Sequence, residues 1–234
     1  MAEPFLEVRD LHAWYGESHV LHGVNFHVDD GEVVALLGRN GAGRTTTMRA
    51  IMGMTGSRRG SIRIRGTESI GLATHRIARL GLGYCPEERG IFAGLSAQEN
   101  LLLPPVIAAG GMSLDEIYSM FPNLKERARS QGTRLSGGEQ QMLAVARILR
   151  TGARLLLLDE MTEGLAPVIV QKLGELVSDL RTKGYTIVMV EQNFRFAEPL
   201  ADRFLIMEHG AILNEFSRVE LPAHLEEVHQ YLGV

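Results

Sequence analysis

RLSGGEQQMLAVARILRTGARLLLLDE, residues Arg134 to Glu160, is the stretch that decides the fold. Four consecutive leucines, Leu155 to Leu158, suit a strand buried on both faces, as inside a parallel sheet flanked by helices. Asp159 and Glu160 then stand at its C-terminal end, where ligands gather in open α/β sheets. Upstream, Ser136 and Glu139 have the S-x-x-E spacing of a helix-opening capping box. Gly137 and Gly138 strip side chains from the first turn of that helix. Two glycines there cost helix stability, and a simple cap does not need them. Bare N–H groups at a positive helix end are what an anion needs.

A second anion-binding turn lies upstream. GRNGAGRTT, Gly38 to Thr46, joins the apolar run EVVALLG to a helix. Its G-x-x-x-x-G spacing lets the backbone through Gly38, Asn40, Gly41 and Gly43 curl around phosphate oxygens. Thr45, followed by Thr46, supplies the hydroxyl expected on Mg²⁺, with Asp159 holding the same ion through water. Glu160 is placed to polarise an attacking water. Arg44 departs from the motif, which carries lysine here. Its guanidinium keeps the positive charge but is larger, planar and forked. Two phosphate-binding helix ends in one chain pose a puzzle, and one solution is a dimer that shares its nucleotides.

Composition narrows the classes. A chain of 234 residues fits one large domain, or a core with one inserted lobe. A net charge of −4 and a pI near 6.1 give no electrostatic case for nucleic acid. The single cysteine, Cys85, excludes an internal disulfide framework and suits a reducing cytoplasm. MAEPFLEVRD has acidic residues where a secretory signal needs a basic region and an apolar core. LLLPPVIAA, Leu101 to Ala109, is too short to span a bilayer and is broken by Pro104 and Pro105, so a membrane role is expected through partners. Only Lys125, Lys172 and Lys183 are lysines among 24 basic residues, a bias that also accommodates Arg44. The histidines show no metal-site spacing and read as structural or surface residues.

Along the chain, FLEVRD, VNFHV, EVVALLG, SIRIR and LGLGYCP read as strands. Helices and loops follow, with capping-box spacing at Ser96/Glu99 and Ser113/Glu116. Strand–helix alternation resumes with RLLLLDE, a helix near Val168 to Arg181, YTIVMVEQ, a short helix, and DRFLIMEHGAIL, whose EHG reads as a hairpin turn. The expectation is a single domain over 1–234. In it, 1–90 and 151–234 form an α/β core with a mainly parallel sheet, and about 91–150 forms a helical lobe.

LSGGEQQ, placed shortly before LLLLDE and well after a phosphate loop, resembles the signature of ABC-transporter ATPases, and the resemblance covers essentially the whole chain. TEGLAP, VMVEQNF, PLADRFLIMEHG and the final YLGV resemble the shorter ATP-binding subunit of branched-chain amino acid importers. The resemblance implies a P-loop NTPase core with an antiparallel β-subdomain and an inserted α-helical subdomain, using ATP and Mg²⁺. It implies a homodimer, or a heterodimer with a paralogous ATPase subunit. This pair would serve two transmembrane permease subunits at the cytoplasmic face of the inner membrane, with an external solute-binding protein and no nucleic acid. Each ATP would lie between one subunit's phosphate loop and the partner's Ser136–Glu139 turn. Tyr15 matches the aromatic that stacks on adenine, and Glu163, Gly164 and Leu165 match the loop facing the other subunit. YCPEERGIFAGLSAQENLLLP matches the link to the membrane partner, with Glu87 on the metal side where many relatives have glutamine. Gln192 takes the switch position, usually histidine; its amide can donate to a γ-phosphate but carries no titrating proton. With Arg44 in the loop, the expectation is a chain that binds Mg-ATP, hydrolyses it slowly in its own loop and completes a partner's site.

Overall fold

A computed structural model describes residues 3–233. The chain opens with a long antiparallel hairpin, β1 (Leu6–Tyr15) and β2 (Ser18–Val28), paired from Leu6↔Val28 to Tyr15↔Ser18. Both strands outrun FLEVRD and VNFHV, because register shifts after Val8, Leu11 and Ala13 interrupt the two-residue alternation that marks a strand. β3 (Val33–Leu37) leads into the phosphate-loop segment and α1 (Arg44–Ile51). β4 (Ser57–Ile64) returns to pair with β1, and the short β5 (Thr67–Glu68) pairs with β4. These four strands form an antiparallel sheet in the order β2-β1-β4-β5.

After α2 (Thr74–Ala78) and β6 (Leu82–Cys85) come α3 (Ala97–Leu102), α4 (Leu114–Met120), α5 (Pro122–Glu126) and α6 (Gly137–Arg150). The chain then runs through β7 (Leu155–Asp159), α7 (Pro167–Thr182), β8 (Thr186–Glu191), α8 (Phe194–Ala197), β9 (Arg203–Glu208), β10 (Ala211–Ser217) and α9 (Leu225–Leu232). The second sheet has the order β10-β9-β3-β8-β7-β6, parallel except for the edge strand β10. His209 and Gly210 make the β9–β10 turn with φ of 47° and 76°, the paired positive values of a tight two-residue hairpin.

The parallel strands are buried on both faces, and their side chains divide between two cores. Val34, Leu36, Leu155, Leu157, Val188 and Val190 face α1 and the antiparallel sheet. Val33, Ala35, Leu37, Leu156, Leu158, Ile187 and Met189 face α6 and α7 on the other side. The leucine run is therefore apolar at every position because each neighbour feeds a different core. Strand pairing brings Leu37 opposite Glu191, and Asp159 opposite Val190. The C-terminal ends of β3, β8 and β7 thus lie side by side, and the loops leaving them share one crevice.

Candidate nucleotide site

The phosphate loop is held by its own backbone. Ala42 N–H donates to Arg39 O at 3.0 Å, and Gly210 N–H of the β9–β10 turn donates to Ala42 O at 2.8 Å. Gly43, with φ of 108°, begins α1, and a Cβ there would come within 3.0 Å of the Leu21 and Met207 side chains. Backbone conformation and crowding both demand glycine there. α1 has no side-chain cap and no acidic residue in its first turn, so no carboxylate of its own neutralises its positive end.

Arg44 is buried, and both of its terminal nitrogens are engaged. Nη1 donates to Gly38 O, and at 3.4 Å to Glu191 O. Nη2 donates to Asn40 Oδ1 at 3.3 Å and forms an ion pair with Glu160. The guanidinium therefore ties the phosphate loop to Glu160 at the end of β7. Burial pushes the Glu160 carboxyl up from its ordinary value; Arg44 opposes this, and Glu163 and Glu87 add to it. Glu160 also holds a positive φ of 45°, strained for a residue with a side chain.

Asp159 is buried, and each carboxylate oxygen accepts one hydroxyl. Thr45 Oγ1 donates to Oδ1 at 3.0 Å and Tyr84 OH to Oδ2 at 2.9 Å. Burial raises the Asp159 carboxyl, and these two bonds pull it back down. Carboxylate oxygens of Glu87, Glu160 and Glu163 lie within 4.8 Å of one another at the crevice mouth. Burial first, then Glu163, push the Glu87 carboxyl up. A cavity of about 360 Å³ is lined by residues 40–46 together with Val20, Glu87, Glu160 and Glu163. Its donors are hydroxyl and carboxylate oxygens beside backbone N–H groups, a set that fits a phosphate chain with a hard divalent ion such as Mg²⁺. A larger groove of about 920 Å³, between Glu7, Arg9, Asn25 and Asp30, contains none of these residues.

Other sequence-selected residues sit apart. Tyr15 ends β1 and is 39 % exposed, outside the lining of that cavity, beside Trp14, which stacks on His19 with ring centroids 4.3 Å apart. Gln192 is exposed immediately after β8. Ser136, Gly137, Gly138 and Glu139 open α6 away from the cavity. Glu139 N–H donates to Ser136 Oγ at 3.3 Å, and Ser136 N–H to Glu139 Oε2 at 2.8 Å. Gly138 has a packing reason too: a Cβ would come within 2.9 Å of the Ile169 side chain on α7.

Two groups escape sequence reasoning. Tyr84 joins Asp159 from across the strand pair, reached only through the β6–β7 register. Arg147, on α6, donates from its two terminal nitrogens to Gly90 O and Arg89 O at 2.8 Å each, tying the loop that carries Glu87 to α6.

A phosphate loop after β3, paired carboxylates after β7 and a second glycine-opened helix define a nucleotide-binding cassette. Residues 21–163 match the ABC transporter family, and the chain belongs to that family. It is 39% identical over 229 residues to the high-affinity branched-chain amino acid transport ATP-binding protein BraG of Pseudomonas aeruginosa, a match covering 94% of this chain and 96% of that protein. It is 33% identical over 220 residues to the lipopolysaccharide export system ATP-binding protein LptB of Acidithiobacillus ferridurans, covering 92% and 91%. Among solved structures, an ATP-binding subunit of an ABC transporter superposes with a TM-score of 0.81 at 29% identity, covering 98% of this chain and all of that one. Among the described residues, no helix is long and apolar enough to cross a membrane.

Proposed function

We propose that this chain is the ATP-hydrolysing subunit of an importer for branched-chain amino acids or similar small polar solutes. It would sit peripherally on the cytoplasmic face of the inner membrane. The observation that carries the reading is the separation of two anion-binding elements. Residues 40–46 and Glu160 line one cavity, while Ser136 and Gly137 open α6 elsewhere. One chain carries both halves of a site and cannot close them on each other, so a second ATPase chain, identical or paralogous, completes the pair. The likeness to BraG supports the substrate class, whereas LptB is named for an export system.

In the pair, Tyr15 stacks on adenine, the backbone through Gly41 and Gly43 cradles the phosphates, and Thr46 adds a hydroxyl beside them. Thr45, Asp159 and Glu87 hold Mg²⁺, which when bound supplies charge neutralisation. Glu160 polarises the attacking water, and Gln192 donates its amide N–H to the γ-phosphate. Ser136, Gly137 and Gly138 of the second chain close the site, with Glu139 holding that helix end in shape. Catalysis of this kind rests on positioning and charge stabilisation. Copurification with two permease subunits and an external binding protein, followed by reconstitution in vesicles, tests the reading. ATP-dependent accumulation of leucine, isoleucine or valine is expected; efflux, or no ATP-dependent movement, would sink it.

The Arg44–Glu160 ion pair favours a second reading of the same site. With Glu160 engaged, the chain binds Mg-ATP but turns it over slowly in its own loop, while its α6 terminus completes a partner's faster site. A mixed pair with a lysine-bearing paralogue is then expected to cleave one ATP rapidly and retain the other; two equally rapid cleavages would exclude this.

A further inference from the structure

The functional reading leaves one buried carboxyl among the described residues unused. Glu191, the last residue of β8, is only 2 % exposed, and both its carboxyl oxygens face the loop that follows β7. Met161 N–H donates to Oε1 at 3.1 Å, and Thr162 Oγ1 lies 2.8 Å from Oε2. Thr162 is itself buried, and its carbonyl accepts from Leu165 N–H at 3.3 Å, so it anchors the turn carrying Glu163 and Gly164. On its other side Glu191 is joined to Gln192, and its own carbonyl accepts from Arg44 at 3.4 Å. The side chain therefore joins the end of β8 to the loop after Asp159, while the backbone of the same residue meets Arg44 of the phosphate loop.

We propose that Glu191 is a positioning residue that locks the 161–165 loop to the end of β8, so that Gln192 and the partner-facing turn at Glu163–Leu165 move as one body. This rests on the ATPase reading above. In that reading Gln192 senses the chain's own γ-phosphate, while Glu163–Leu165 reports to the other subunit. A rigid tie between them is how occupancy of one site reaches the second.

The chemistry of the link fits positioning rather than stability. A buried carboxyl costs free energy that an apolar side chain of similar size avoids. Burial pushes the Glu191 carboxyl up to about 8; its bond to Thr162 opposes this, and Glu160 adds to it. Both oxygens accept: Oε2 from the Thr162 hydroxyl and Oε1 from Met161 N–H. Glutamine keeps both contacts without charge: its carbonyl accepts from Met161 N–H, and its amide donates to the Thr162 hydroxyl, which rotates to accept. Alanine and valine variants on the two sides of the link do not.

The test uses the full chain as Glu191→Ala, Glu191→Gln and the near-isosteric Thr162→Val. Steady-state ATPase rates and hydrogen exchange over residues 161–165 are measured on each, with cooperative melting as the check of folding. Glu191→Ala and Thr162→Val are expected to lower kcat about tenfold or more, as small misplacements in a preorganised site do, while KM moves less than about twofold. Glu191→Gln should stay within about threefold of the parent kcat and keep the Met161 amide protected, whereas Glu191→Ala should expose it. Parental kcat in Glu191→Ala and Thr162→Val, or a glutamine variant as impaired as alanine, overturns the proposal. If the parent chain turns over no ATP, the ATPase reading itself fails. Exchange then decides the positioning claim alone, and unchanged protection of residues 161–165 in Glu191→Ala overturns it.

Discussion

Arg44 is where a single residue does most to set this site. An ammonium at that place is a compact charge, but a guanidinium fork holds partners on two nitrogens at once. Here one nitrogen binds Gly38 O and the other reaches Asn40 and Glu160. In the function proposed above, a phosphate chain entering the cavity would compete with Glu160 for that fork, and Glu160 would have to leave it to act on water. The departure from lysine is plain in the sequence, but its partner is not, because Glu160 lies 116 positions downstream. Glu191 is equally hidden: VMVEQNF reads as a strand end, and nothing local says that its carboxyl turns toward Thr162. That burial has a measurable consequence for stability. The Glu191 value rises from 4.5 when unfolded to about 8 when folded, so folding favours the protonated form. Its contribution is fully present below about pH 4.5 and is lost as pH rises toward 8. Denaturant unfolding should show the parent losing stability against Glu191→Gln by up to about 1 kcal/mol per pH unit across that window. A constant difference between the two proteins from pH 5 to 8 would refute the assignment.

At the scale of elements, local chemistry and tertiary context contribute differently. The S-x-x-E pairs at Ser96, Ser113 and Ser136 all form reciprocal capping boxes, which the sequence spells out because both partners lie within one turn. Ser136→Ala is expected to lower stability by about 1 kcal/mol through loss of the α6 cap, with thermal unfolding as the check. A larger effect belongs to the leucine run. Leu157 faces the core shared with α1, so Leu157→Ala should cost about 2–5 kcal/mol by calorimetry or denaturant titration. The run was legible as a doubly buried strand from its composition. The extents of β1 and β2 were not, since irregular pairing shifts side chains between faces. The gathering of His12, Trp14 and His19 into one ring stack escaped for the same reason, being a product of strand pairing rather than spacing.

The whole molecule is organised around an incompleteness. Its phosphate loop and carboxylates meet at the ends of β3 and β7, and its second glycine-opened helix begins elsewhere, tied to the Glu87 loop through Arg147. The sequence carried this architecture well, because GRNGAGRTT, LSGGEQQ and LLLLDE each state their local geometry. It did not carry the internal ties made by Arg44, Arg147 and Glu191, because those are contacts between distant segments. In the second reading proposed above, the Arg44–Glu160 ion pair would restrain Glu160 and limit turnover in the chain's own loop. The most direct test compares single-turnover and steady-state ATP hydrolysis by the purified chain and its Arg44→Lys variant at matched nucleotide saturation. The restraint predicts a rise of about tenfold or more in the lysine variant, with little change in ATP affinity. Equal rates, or a slower lysine variant, would contradict it.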